Sequence, residues 1–342
     1  MILMKRLSLS NLSLSNLSLF RAAGLMATGA ALLGAGVATP LAAQAGSAVL
    51  EAFTQAQHAA AEKARSFGLG PDLESQIPEE LNQSQHPTAQ DADGSGRGII
   101  GLSDDRAPMT SRSYPWSAIG RLQSPVDENT ITICSGTLVA PDIVLTNAHC
   151  VINPETSEIK PDITFHPNMI DGRVADPSHI AQAVDLIYGT DFRNDNRAPH
   201  PQDWAFVQLD RPLGDTYGTL GWTPLSVGDL VRNHRNQIIT VGYSGDFPAE
   251  APGRTAGVHM GCNVLGEVEG SLIHDCDTHP GSSGGPMMTV INGEYRIIGI
   301  NSAERTERAT NPTTGEVVAS RGIVNYGVKI QPIIDFLRQA QR

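Results

Sequence analysis

The chain has 342 residues, with 24 Lys and Arg against 36 Asp and Glu, for a formal net charge of -12 at pH 7. So acidic a balance, without a clustered basic run, excludes the phosphate-binding surface that a nucleic-acid partner requires. Hydrophobic residues at 40% supply a sizeable core, while 34 Gly and 22 Pro imply many turns between short strands and an all-β fold.

The N-terminus reads as an export signal. Lys5, Arg6 and Arg21 give positive charge, Ala22 to Val37 is small and apolar, and Ala43-Gln44-Ala45 offers a small-x-small cleavage site before Gly46. The apolar run is too short and too rich in Ala and Gly for a membrane span, which needs about 20 strongly apolar residues. Residues 1–45 are therefore expected to be a signal peptide. Residues 46–98 are expected to be a largely disordered propeptide: the stretch to Arg65 is Ala-rich and suits a helix, but Pro71 to Arg97 is polar, with few residues to bury.

Beyond Ile99 the texture changes to short apolar runs separated by turn residues: Ser117 to Leu122, Thr130 to Ile133, Thr137 to Val139, Ile143 to Thr146, Trp204 to Leu209, Ile238 to Gly242 and Ile297 to Ile300. That spacing belongs to a sandwich or barrel rather than to βαβ units. Asn292-Gly293, between Met287 to Ile291 and Glu294 to Ile300, is a hairpin signal. Ile333, Ile334 and Leu337 share one face of a helix expected over Pro332 to Ala340.

Four cysteines, Cys134, Cys150, Cys262 and Cys276, lack CxxC spacing, which disfavours metal and redox motifs and favours disulfides in an exported chain. Acyl-transfer chemistry needs a nucleophile, a base, a group to hold the base and donors for the oxyanion. In Pro280-Gly281-Ser282-Ser283-Gly284-Gly285-Pro286, glycines flank a serine, and the N–H groups of Gly281 and Ser283 can converge as an oxyanion hole. All ten histidines precede Ser283, so the Ser-acid-His order of α/β-hydrolases is impossible here. The candidate base is His149, at the end of the strand Ile143 to Leu145 and beside Cys150; the candidate acid is Asp203, which opens the apolar strand Trp204 to Leu209, with Asp185 and Asp195 as competitors.

Taken together, these segments resemble the chymotrypsin superfamily: Cys134-Ser135-Gly136-Thr137-Leu138 leading to Ala148-His149-Cys150, then Asp203, then Gly281-Ser282-Ser283-Gly284-Gly285-Pro286. Within it, Ile99 to Arg106, Tyr114 to Gly120 and Val241 to Asp246 resemble the V8-like, or glutamyl endopeptidase, branch. The resemblance implies two six-stranded antiparallel β-barrels: residues 99–230 with His149 and Asp203, then residues 231–342 with Ser283 and the C-terminal helix. It implies a His149, Asp203, Ser283 catalytic triad and no cofactor or metal. Cys134 with Cys150 resembles the family's staple of the histidine loop, and Cys262 with Cys276 is the partner pairing expected among three possible.

The expected function is that of a secreted, monomeric serine endopeptidase acting on polypeptides, extracellular or periplasmic, with no nucleic-acid partner and no stable membrane association after processing. The alternatives are a catalytically silent homologue serving as a binding or adhesion module, and an esterase using the same triad. Maturation is expected between Arg97 and Ile100. Because Ser282 stands where trypsin-type zymogens place an activating Asp, activation is expected to proceed by release of the propeptide from the cleft. The specificity pocket is assigned to Asp277, Thr278, Asn301, Ser302 and Glu304. Asn301 replaces the pocket histidine of glutamyl endopeptidases, and Asp277 and Glu304 add negative charge, so a basic P1 residue is favoured over Glu.

Overall fold

Apolar residues alternating with polar ones, interrupted by Gly and Pro turns, give fourteen strands among the described residues. The computed structural model describes residues 59–81, 98–101, 103–310 and 317–342. The expected signal peptide, residues 1–45, lies outside them, as does Arg97 at the expected maturation point.

Six strands close into a barrel: β2 (Ile119–Pro125), β3 (Ile131–Ala140), β4 (Ile143–Thr146), β5 (Thr164–Pro167), β6 (Ala181–Tyr188) and β7 (Ala205–Leu209), in the order β2-β3-β4-β7-β6-β5. Its interior is filled by Leu122, Leu138, Val144, Phe165 and Val207, which the strand registers place on one face and which are all at most 2% exposed. Strands β4 and β7 pair antiparallel with Thr146 opposite Ala205. This register sets the loop that carries His149 beside the one that carries Asp203.

The second unit is an antiparallel sheet of eight strands. Its order is β1-β9-β8-β12-β13-β14-β11-β10, from β1 (Arg106–Pro108), β8 (Ile238–Gly242), β9 (Gly257–Cys262), β10 (Val264–Val268), β11 (Ser271–His274), β12 (Pro286–Ile291), β13 (Glu294–Thr310) and β14 (Val317–Lys329). β1, which precedes the first barrel in the chain, adds to this second sheet by pairing with β9, and β9 runs on into β10 across Asn263. The β12–β13 turn is the expected hairpin: Asn292 and Gly293 have φ of 54° and 86°, the left-handed conformations this two-residue turn requires. A final helix, Ile330–Ala340, buries Ile330, Ile333, Ile334, Leu337 and Ala340.

A helix is expected up to Arg65, but residues 71–81 depart from the expected disorder. Residues 59–66 are helical, and Ala64, Phe67 and Leu69 are buried in the main hydrophobic cluster with Trp204 and Leu337. Polar composition concealed this, because the anchoring apolar residues Phe67, Leu69, Leu73 and Ile77 are few and widely spaced.

Candidate active site

His149 sits in the short helix Ala148–Val151 directly after β4, held by the Cys134–Cys150 disulfide to β3. Asp203 lies just before β7 and is 4% exposed, so its carboxylate needs internal partners. It has three. His149 Nδ1 lies 2.7 Å from Asp203 Oδ2, the His149 backbone N–H donates to Oδ1 at 2.9 Å, and Ser302 Oγ donates to Oδ2 at 2.7 Å. Asn147 Nδ2 also donates to the Asp203 carbonyl at 2.6 Å. The imidazole is thereby fixed in orientation, with Nδ1–H on the carboxylate and Nε2 available. The competing acids are engaged elsewhere: Asp185 pairs with Lys63, and Asp195 with Arg197.

Ser283 lies in the loop before β12, with its Oγ donating to the Ser302 carbonyl at 3.3 Å. Ser302 thus touches both the serine and the acid. The loop is fixed from behind: the Gly281 carbonyl accepts from Ser135 Oγ at 3.0 Å, and the Ser135 N–H donates to the Ser283 carbonyl at 2.7 Å. The Pro280 carbonyl accepts from the Gly245 N–H (2.8 Å) and the Ser282 carbonyl from the Gly285 N–H (3.0 Å). In a trans peptide the N–H points opposite to the C=O, so the N–H groups of Gly281 and Ser283 are turned away from these partners. Glycine is required here. A Cβ on Gly281, at φ 107°, would lie 2.4 Å from the Tyr243 carbonyl oxygen, and one on Gly284, at φ 81°, would lie 2.1 Å from Thr146 Oγ1.

The residues assigned to the specificity pocket separate into different roles. Ser302 points at Asp203, a function that sequence reasoning missed. Asn301 donates from Nδ2 to Ser282 Oγ at 3.1 Å, and Ser282 Oγ donates to the His279 carbonyl at 2.7 Å. Asp277 is corrected: it is 2% exposed, and its carboxylate is not open to a P1 side chain. Oδ1 accepts the Ile100 N–H at 2.7 Å, and Oδ2 accepts the Asp105 N–H at 2.8 Å. Its own N–H donates to His259 Nδ1 at 2.8 Å. Thr278 and Glu304 flank the same incoming segment. The Thr278 N–H donates to the Gly98 carbonyl at 3.1 Å, and a Cβ on Gly98 would lie 2.8 Å from Glu304 Oε2. Asn325, which sequence reasoning did not single out, donates from Nδ2 to the Gly98 carbonyl at 2.7 Å.

Both disulfides have the expected pairing, Cys134–Cys150 and Cys262–Cys276. The second joins β9 to the segment just before Asp277.

The strand order is that of a chymotrypsin-like fold. Residues 134–300 match the trypsin-like peptidase domain. The chain thus has the chymotrypsin-like serine protease fold, with a trypsin-like peptidase domain across nearly half of its length. It is similar to a glutamyl endopeptidase of Bacillus licheniformis, with 26% identity over 56% of this chain and 54% of that protein. It is also similar to serine protease 23 of Bos taurus, with 27% identity over 56% of this chain and 52% of that protein. A trypsin of Saccharopolyspora erythraea is 29% identical over 49% of this chain and 74% of that protein. The chain thus aligns with about half the length of the first two of these relatives. A solved structure of a Glu endopeptidase in complex with MPD superposes with a TM-score of 0.54 at 23% identity, over 71% of this chain and 99% of that one, a likeness of fold.

Proposed function

We propose that the chain is a serine endopeptidase that hydrolyses peptide bonds through an acyl-enzyme on Ser283. The observation that carries this reading is the buried Asp203 carboxylate, bonded at once to the His149 ring, the His149 N–H and Ser302. In this mechanism the Ser283 hydroxyl rotates from the Ser302 carbonyl toward His149 Nε2, which takes its proton as Oγ bonds to the scissile carbonyl carbon. The carbonyl oxygen becomes an oxyanion, received by the N–H groups of Gly281 and Ser283. His149, doubly protonated and stabilised by Asp203, then gives the proton to the leaving amine. Water, deprotonated by His149, cleaves the resulting ester and regenerates Ser283.

The substrate class is polypeptide, as for the endopeptidase relatives, and no step calls on a cofactor. Asp277 anchors residues 98–105 in this proposal and does not select a basic P1 residue. The protein works in an oxidising compartment outside the cytosol, a reading supported by its two disulfides and the absence of free cysteine among the described residues. No described helix is long and apolar enough to cross a membrane. The test is a fluorophosphonate label followed by hydrolysis assays on a peptide library and on simple esters. Labelled protein that cleaves peptides supports the proposal, labelling with ester turnover alone points to an esterase, and no labelling points to a silent homologue.

A further inference from the structure

Residues 59–81 belong to the stretch expected to be removed on maturation, and expected to act by leaving the cleft. Their hydrogen bonds and ion pairs go elsewhere. Lys63 pairs with Asp185 of β6 in the barrel, and Arg65 donates to the Ala340 carbonyl of the C-terminal helix. Glu74 pairs with Arg296 of β13 in the second sheet. Between these ends the segment follows the connection from barrel to sheet. The Gln76 and Thr219 backbones exchange hydrogen bonds at 3.1 and 2.8 Å. The Gly221 N–H donates to Ser75 Oγ at 3.0 Å, the Trp222 N–H to the Leu73 carbonyl at 3.1 Å, and Trp222 Nε1 to the Pro71 carbonyl at 2.8 Å.

The receiving surface is shaped for this occupant. The donors of Thr219, Gly221 and Trp222 point outward from the connection, and without the segment the Trp222 ring, 3% exposed with it in place, would lose a partner and its cover. Gly221 has no side chain where one would collide: a Cβ there would lie 2.3 Å from the Leu73 carbonyl oxygen. Phe67 and Leu69, 5% and 4% exposed, fill the hydrophobic cluster that Leu337 and Ala340 also enter. Removing them would open an apolar face.

We propose that residues 59–81 form a retained clasp, which docks on the 219–222 connection, β13 and the C-terminal helix and stays bound after the chain is cut within 82–98. The mature protein is then a noncovalent pair of chains, with the shorter one bracing the barrel against the second sheet. This assignment does not depend on the peptidase reading, because the clasp is remote from the acyl chemistry and its retention is read without turnover.

The test uses the full chain carrying Ser283→Ala, with the recognition sequence of a site-specific processing protease placed within residues 82–97. After complete cutting, size-exclusion chromatography at about 1 μM protein is followed by intact mass measurement of the peak. The expected result is co-elution of both fragments in equal amounts, with a melting temperature close to that of uncut protein. Adding Phe67→Ala and Leu69→Ala is expected to weaken retention by at least about a hundredfold and release the shorter fragment. Separation of the fragments without those substitutions, leaving the body with an unchanged melting temperature, would overturn the proposal.

Discussion

Ser302 bonds to Asp203 through its side chain, Oγ to Oδ2 at 2.7 Å, while its backbone carbonyl accepts the Ser283 hydroxyl at 3.3 Å. One residue of β13 in the second sheet therefore touches the candidate acid of the first barrel and the candidate nucleophile of its own unit. Ser302→Ala removes only the bond to the carboxylate. A hydrogen bond to a charged group contributes about 1.5–3 kcal/mol, so kcat is expected to fall about 10–100-fold with KM little changed. Steady-state kinetics check this, and an unchanged kcat would remove Ser302 from the positioning of Asp203.

Asp277→Asn tests the corrected role of that residue. The substitution weakens the acceptors for the Ile100 and Asp105 N–H groups, so amide exchange across 98–105 is expected to quicken while the P1 profile stays as in the parent. Hydrogen-exchange mass spectrometry and a P1 peptide library supply the two readouts. A basic P1 preference that collapses in Asp277→Asn would restore the pocket role.

Two histidines predict how stability varies with pH. His166 is pushed down to about 4 by burial and then by the nearby Arg121 charge, and His274, fully buried, is pushed down to about 4 chiefly by burial. In the unfolded chain each titrates near 6.5, so on acidification the unfolded state gains protons first. Their contribution is complete above pH 6.5 and declines as pH falls from there toward 4, by up to about 3 kcal/mol each. Between pH 6.5 and 5 the ordinary carboxylates stay ionised, so the histidines dominate the slope. Urea midpoints at pH 7 and pH 5 should differ, and His166→Gln should reduce the difference without abolishing it, since His274 and His200, also lowered by burial, retain their share. A midpoint independent of pH over that range would contradict the assignment.

Much of the architecture is legible in the chain because it rests on local signals. Ile143 to Thr146 and Ile238 to Gly242 form strands with those same ends, since each is a fully buried apolar run between turn residues. Asn292-Gly293 marks its hairpin for an equally local reason, the positive φ at both positions. The candidate residues His149, Asp203 and Ser283 stand out because each lies at a strand end in a recognisable motif. The illegible parts are those set by distant partners. β13 and β14 extend past Ile300 as a ribbon whose Glu304, Arg305, Thr306 and Glu307 offer no apolar strand signal, because polar residues fit a solvated strand pair. Asp277 looks like a pocket acid until the N–H groups of Ile100 and Asp105, far away in sequence, are seen to occupy it. The clasp is hidden likewise, because its cover comes from Trp222, Arg296 and Ala340.

The central claim, that Ser283 is the nucleophile, is tested most directly by mapping a fluorophosphonate adduct and measuring peptide turnover in parallel, on the parent, Ser283→Ala and Ser282→Ala proteins. Ser282 Oγ is spent on the His279 carbonyl, so Ser282→Ala should keep substantial activity and the adduct. Ser283→Ala should lose the adduct and several orders of magnitude of kcat, since only oxyanion and binding contributions of roughly 10³–10⁴ over water survive loss of a triad member. The account predicts one adduct, on Ser283. An adduct on another residue, or near-parental turnover in purified Ser283→Ala protein, would contradict it.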